Sequence, residues 1–277
     1  MTQTSELKAV VFDWAGTVVD FGSRAPMGVF VETFARFGVE LTVAEARGPM
    51  GLAKRDHVAA LLREPAIAER WKLARGSAPA QSDVDAVYDM FVPLNAQIVG
   101  DYAELIPGVT SVVATLRARG VKIGSTTGYT RDIMARLSPL AAERGFAPDN
   151  LVCAGDLSAG RPTPLMMYRT FADLGVFPPS AVVKVDDTEP GIAEGLAAGS
   201  ITVGIAMTGN CCGLSEPELT ALSDDERTAI RTRAEKKLRA AGAHAVIDGV
   251  SDLLPVLDRF FAPASQAADR AERTTLV

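Results

Sequence analysis

The chain is 277 residues long, 48% hydrophobic and 22% charged, so it can bury a substantial core in one large domain or two smaller ones. Its net charge of -6 and the lack of any long basic run exclude a general nucleic-acid surface, which needs clustered Lys and Arg. No apolar segment is long enough to cross a bilayer and the opening residues carry no signal-peptide core, so no membrane role is expected and the cytoplasm is the expected location.

The first strong pattern is Ala9-Val10-Val11-Phe12-Asp13-Trp14-Ala15-Gly16, an apolar run that stops at a carboxylate and passes into a glycine turn. A buried parallel strand delivers an acid to the carboxyl edge of a sheet in this way, although a helix cap or turn residue reads similarly. Pro26 suits the first turn of a helix to about residue 37, and Phe30, Phe34 and Phe37 at helical spacing read as packing. From residue 25 to 100 the pattern is helical without strand alternation, which predicts an all-helical insert. Inside it, Gly48-Pro49-Met50-Gly51-Leu52-Ala53 leads into a helix whose first turns carry Lys54, Arg55 and His57. Cations there oppose the helix dipole, so they are either a solvated charged face or a functional group, and a reactive lysine would need desolvation. Asp83 or Ser82 is expected to cap a helix running to about residue 100.

Strand and helix then alternate. A strand over 121–128 ends in Ser125-Thr126-Thr127-Gly128, small residues able to hold an anion, and a helix follows from Arg131. After a strand over 150–154, Arg161 directly precedes a proline-opened helix, where it is either an exposed loop residue or a cation held by rigid backbone. The strand over 181–185 ends at Asp186-Asp187, adjacent acids that repel unless a hard cation such as Mg2+ relieves them. Asp186 either reaches that metal through water or orients Asp187. A strand over 201–205, two Ser-x-x-Glu capping boxes at Ser215 and Ser223, a charged helix to about 241, a strand over 245–247 and a helix over 250–261 complete the chain. Cys153, Cys211 and Cys212 make no disulfide framework, and two histidines are too few for a structural zinc site.

The fold expected is α/β, a Rossmann-like doubly wound parallel sheet over residues 1–24 and 101–262, with the helical cap at 25–100 and a frayed tail at 263–277. Asp13, Thr127, Arg161 and Asp187 would meet at one sheet edge. In this order they resemble the four motifs of the haloacid dehalogenase superfamily. The superfamily's phosphatases and mutases carry a second Asp two positions after the first, where this chain has Ala15, so a leaving alkoxide could not be protonated from there. The segments around Asp13 and Ala15, Met50 to His57, Ser125 to Thr130, Gly160-Arg161-Pro162 and Lys184 to Thr188 resemble the phosphonoacetaldehyde hydrolase family.

That resemblance implies hydrolysis of a carbon–phosphorus bond in a small phosphonate. Asp13 would attack phosphorus and Lys54 would form an imine with the substrate aldehyde. Thr127, Gly128 and Arg161 would hold the transferring group, and Mg2+ would lie on Asp13, Asp187 and the Ala15 carbonyl. Met50 and Tyr129 match pocket positions, though core packing explains them equally, and His57 is either a proton shuttle or a packed histidine. A homodimer through the cap is also implied. Two other readings stay open on these residues: a dehalogenase attacking carbon without metal, or a silent phosphate or metabolite binder.

Overall fold

The computed structural model describes residues 6–261, so the tail expected at 263–277 lies outside the described residues. Six parallel strands form one sheet in the order β3-β2-β1-β4-β5-β6, with β1 Ala9–Phe12, β2 Lys122–Thr130, β3 Val152–Ala154, β4 Val182–Asp186, β5 Ile201–Ile205 and β6 Ala245–Ile247. All four β1 residues are fully buried, as a central strand covered on both faces requires. The chain order turns round at β1, which pairs with β2 on one side and β4 on the other, so the crevice at its carboxyl end is the switch point where such sheets bind ligands. Register does the alignment: Phe12 lies opposite both Ser125 and Val185, and the Asp13 amide donates to the Val185 carbonyl at 3.0 Å. The residue after β1 is thereby set beside the acids that end β4.

The first five helices after β1 are α1 Ala25–Arg36, α2 Val43–Arg47, α3 Lys54–Arg63, α4 Pro65–Arg75 and α5 Gln81–Ile98. They have a core of their own. Phe30 stacks on Phe91 with centroids 4.2 Å apart, Phe37 stacks on Trp71 at 5.4 Å, and Leu61, Ile67 and Phe34 fill the space between. The aromatic spacing read from the sequence is therefore packing. The remaining helices flank the sheet: α6 Val109–Ala118, α7 Arg131–Glu143, α8 Leu165–Leu174, α9 Glu189–Ala197, α10 Glu216–Thr220, α11 Asp224–Ala240 and α12 Leu253–Phe261. Ser215 and Ser223 accept from the Glu218 and Glu226 amides while those glutamates reach back, so both expected capping boxes form. No described helix is long and apolar enough to cross a membrane.

Four local expectations change. The helix after residue 80 has Ala80 at its N-cap, and Asp83 serves from the third helical position by accepting from the Ala80 amide at 2.8 Å; neither Ser82 nor Asp83 is the cap. Arg161 does not directly precede a helix, because α8 starts at Leu165 with Pro164 as its cap. β2 continues past Thr127 to Thr130, its pairing with β3 shifting register between those residues. β3 begins only at Val152, because the Asn150 side chain accepts from the Ser125 amide at 3.2 Å and takes a ladder partner's place.

Trp71 is the largest side chain filling the α1–α4 core and is fully buried. Trp71→Ala is expected to cost about 3–5 kcal/mol in denaturant unfolding, the usual range for emptying an aromatic site.

Candidate active site

The segment after β1 is shaped around one carboxylate. Gly16 has φ +82, and a Cβ there would stand 2.2 Å from Asp187 Oδ2, while a Cβ on Gly209 would stand 2.4 Å from the Asp187 Cβ. Only glycine fits on either side. Asp187 Oδ2 then accepts from the Asn210 amide at 2.7 Å. One carboxylate oxygen from each of Asp13, Asp186 and Asp187 lies within 4.8 Å of the others, and all three residues are buried.

Arg161 threads into this group almost fully buried. Its Nη2 lies 2.8 Å from Asp13 Oδ1 and 3.3 Å from Asp186 Oδ2, and donates to the Thr126 carbonyl at 2.7 Å, while Nε lies 3.1 Å from Glu194 Oε2. The held cation, not the exposed loop residue, is what the fold contains. Lys184, in the middle of β4, adds a second cation, 3.1 Å from Asp186, 3.4 Å from Glu194 and 2.7 Å from Thr126 Oγ1. Sequence reasoning gave Lys184 and Thr126 no role of their own and missed Glu194, although a lysine inside an apolar strand is a signal, because a buried ammonium needs partners. The adjacent acids also divide their roles in a way the sequence did not show. Asp186 is neutralised by Arg161 and Lys184, which outweigh burial and hold its carboxyl below the usual range. Among the described residues Asp187 has no ion pair, and burial together with Asp13 and Asp186 pushes its carboxyl well above that range. Burial and Asp186 likewise push Asp13 up to about 6 against the pull of Arg161.

The charge count tests whether a metal fits. With all four acids ionised, Asp13, Asp186, Asp187 and Glu194 would exceed Arg161 and Lys184 by two negative charges, an excess that one divalent cation would cancel. The free donors are hard carboxylate oxygens, the type that oxygen-seeking divalent ions prefer.

Lys54 approaches from the helical insert. It begins α3, is 3% exposed, and its Nζ lies 3.8 Å from Met50 Sδ, 5.1 Å from the Tyr129 ring centroid and 5.9 Å from that of Phe30. The aromatic faces favour an ammonium, but desolvation wins, lowering the amine from 10.5 to about 8 even with Asp13 pulling the other way. That shift is worth about 3 kcal/mol against the charged form. Of the two readings left open for this cation, a solvated face is ruled out by its burial. Arg55, by contrast, is exposed and paired with Asp85.

Lys54 and Asp13 line one cavity together with Ala15, Ser23, Met50, Gly51, Thr127, Gly128, Tyr129, Arg161 and Thr188. It measures about 20 Å3, room for about one water. A larger hollow of about 590 Å3 between α2–α4 and the start of α9 carries none of the strand-tip residues. Gly128 is small for a reason, since a Cβ there would come 2.8 Å from the Leu52 carbonyl and push the Lys54 loop away. His57 stands apart from the cavity wall. It is fully buried, stacks on Phe30 at 4.1 Å and bonds Nε2 to the Ala46 carbonyl at 2.8 Å, so Nε2 carries the hydrogen and Nδ1 keeps a lone pair. Burial and the neighbouring Lys54 hold the ring well below its usual pKa, hence neutral.

A doubly wound sheet with a carboxylate after β1 and an acid cluster after β4, topped by a helical insert, defines a hydrolase of the haloacid dehalogenase-like type. The model of that hydrolase family matches residues 7–199. The chain is 55% identical to the phosphonoacetaldehyde hydrolase of Paraburkholderia xenovorans over 91% of its own length and 94% of that relative, and 47% identical to that of Syntrophobacter fumaroxidans over 89% of each. A crystal structure of a phosphonoacetaldehyde hydrolase-like protein from Oleispira antarctica superposes with a TM-score of 0.91 at 42% identity, covering 93% of both chains. The chain belongs to the haloacid dehalogenase-like hydrolases and, within them, to the phosphonoacetaldehyde hydrolase family.

A divalent cation is expected to raise the melting temperature of the wild type by several degrees, roughly the shift that ligand linkage gives at a hundredfold excess over Kd. Asp187→Asn should lose that shift, yet melt no lower than wild type without metal, because the substitution removes a repelled charge. Thermal melts of both proteins with and without the ion check both expectations.

Proposed function

We propose that this enzyme hydrolyses phosphonoacetaldehyde to acetaldehyde and phosphate, using Lys54 as an imine-forming amine and Asp13 as the nucleophile. The observation that carries the reading is a buried amine and a buried carboxylate lining one cavity beside Ala15, where no acid is available to protonate a leaving group. Expelling a carbanion from phosphorus is prohibitive, so the carbon must first become an electron acceptor. The neutral Lys54 amine adds to the aldehyde carbon, and loss of water leaves a protonated imine. With a pKa of about 8, about one lysine in ten is neutral at pH 7, far more than for an exposed side chain.

Asp13 then attacks phosphorus in line with the carbon–phosphorus bond. The bonding pair moves onto carbon and through to the imine nitrogen, giving a neutral enamine and an aspartyl phosphate. Water hydrolyses the acyl phosphate to phosphate and free Asp13, while protonation of the enamine at carbon and hydrolysis of the imine return acetaldehyde and Lys54. Arg161 bears on Asp13 and, with Thr127 and the Gly128 amide, would bind the phosphoryl oxygens. Met50 and Tyr129 wall the amine from water and so lower its basicity. His57, stacked on Phe30 with its ring held neutral, is a weak proton acceptor and supports the Lys54 helix as a packed ring. Mg2+ fits the donor set of Asp13, Asp187 and the Ala15 carbonyl, and when bound would supply neutralisation of charge on the phosphoryl group. The same reading takes the enzyme as a cytoplasmic homodimer joined through the cap helices, where the exposed Val43 and Leu73 would supply apolar contact.

Borohydride added with substrate is expected to fix a two-carbon adduct on Lys54, located by peptide mass mapping, and none in Lys54→Arg. Trapping should accelerate about tenfold from pH 7 to pH 9 and then level off, since the neutral fraction of a group with pKa near 8 follows that curve. Asp13→Asn should still be trapped while releasing phosphate at least about a thousandfold more slowly; normal phosphate release by that variant would remove Asp13 from its assigned role.

A further inference from the structure

A space for about one water cannot admit a phosphonate, so the helices carrying Lys54 must withdraw from the sheet to load the site and return to react. What holds them in the returned position is visible at the last residue of α2. The Arg47 guanidinium leaves the helical insert and enters a nest of oxygens on the other side. Its Nη1 lies 2.9 Å from the Gly22 carbonyl, 3.3 Å from that of Ser23, 3.1 Å from Asn210 Oδ1 and 3.5 Å from the Asn210 carbonyl, and Nη2 lies 3.0 Å from the Gly213 carbonyl. The nest is shaped for it, because Gly213 has φ +73 and a Cβ there would stand 2.9 Å from the guanidinium carbon. Among the described residues, and apart from Asp20 capping the start of α1, the side-chain hydrogen bonds joining α1–α5 to the sheet domain all involve Arg47 or its carbonyl.

We propose that Arg47 is the latch of the cap, a positioning residue that holds Lys54 over Asp13 by clasping the Gly22–Ser23 crossover and the loop from Asn210 to Gly213. Two features suit a latch that must also open. Every oxygen it meets is a neutral carbonyl or amide, with no carboxylate among the described ion pairs, so a half-buried guanidinium gives up hydrogen bonds to neutral groups and regains its hydration on release. Closure is also sensed at the acid cluster. Asn210, which accepts from Arg47 through its side chain, donates its backbone N–H to Asp187 at 2.7 Å. On the other side only the short stretch from Gly48 to Ala53 separates Arg47 from Lys54. The consequence for catalysis rests on the function proposed above, but the test does not.

The test labels lysines with an amine-directed acylating reagent in the absence of substrate, and reads each site by peptide mass mapping. Lys54 and Lys184 are both buried, one at the seam and one inside the sheet, while Lys72 on α4 is exposed. In Arg47→Met, Lys54 should be acylated roughly tenfold faster or more, the size of effect expected when the open population rises by that factor, with Lys184 and Lys72 unchanged. Asn210→Ala, which keeps the backbone N–H to Asp187, should accelerate Lys54 in the same direction, and the double variant should exceed the larger single effect little. Arg47→Lys, a point charge without the fork, should restore protection only partly. Unchanged labelling of Lys54 overturns the proposal, and so does parallel acceleration of Lys184, which would make Arg47 a residue of general stability. Absence of a borohydride adduct on Lys54 would defeat the imine reading and leave the labelling result standing.

Discussion

The structure turns on a buried imbalance of charge. Asp13, Asp186, Asp187 and Glu194 are gathered where β1, β2 and β4 end, and Arg161 and Lys184 answer only half of their charge. Burying such a set is unfavourable unless each member has a partner, and much of the surrounding backbone follows from that demand. Gly16 and Gly209 leave space around Asp187, and Asp186 fills the space beside Gly191, where a Cβ would come within 2.0 Å of its carboxyl carbon. Thr126 ties Lys184 to Glu194 through its hydroxyl, accepting from the first and donating to the second at 2.8 Å. Among the described residues Asp187 is the member without an ion pair, and Asp13 shares Arg161 with Asp186 and Glu194, so this is the side of the cluster that a divalent cation and a phosphoryl group would occupy.

The opposite wall of the site is built on the opposite principle. Around Lys54 the neighbours are Met50, Tyr129 and Phe30, and burial removes water that would otherwise stabilise an ammonium. One wall thus concentrates negative charge and the other discourages positive charge, and the two come together only when the helical insert is seated on the sheet. In the proposed reaction the amine would have to be neutral to add to a carbonyl and the carboxylate ionised to attack phosphorus, and the two would need these contrasting surroundings. The insert and the sheet have separate hydrophobic cores, and Tyr129 from β2 completes the wall that Met50 and Phe30 of the insert begin.

That separation also explains why a polar contact at the seam matters. Apolar contact is non-directional, whereas a guanidinium with five oxygens in reach defines one relative position. The glycines facing each other across the seam work the same way by subtraction. Gly51, with φ +94, seats against Thr188, and Gly128 seats under Leu52.

Much of this was legible in one dimension because it depends on short-range pattern. The apolar runs ending at Asp13 and Asp186 read as buried strands with acid tips, the absence of alternation from 25 to 100 read as helices, and Ser215 and Ser223 announced their helices through Ser-x-x-Glu. Ala15, at the position where phosphatases of the resembled superfamily carry a second Asp, narrowed the leaving group that the resemblance implies. Other features depend on which distant residues become neighbours, and only the tertiary structure decided them. Whether Arg161 faced solvent or Asp13, where the His57 ring came to pack, and which of two adjacent acids was left without an ion pair were all decided by strand register and helix packing. Lys54 is the clearest case: the sequence by itself determined that a lysine opens a helix after a glycine turn, but an amine's basicity is set by the water it loses. That loss occurs only when the loop before α3 is pressed against Gly128 and Tyr129.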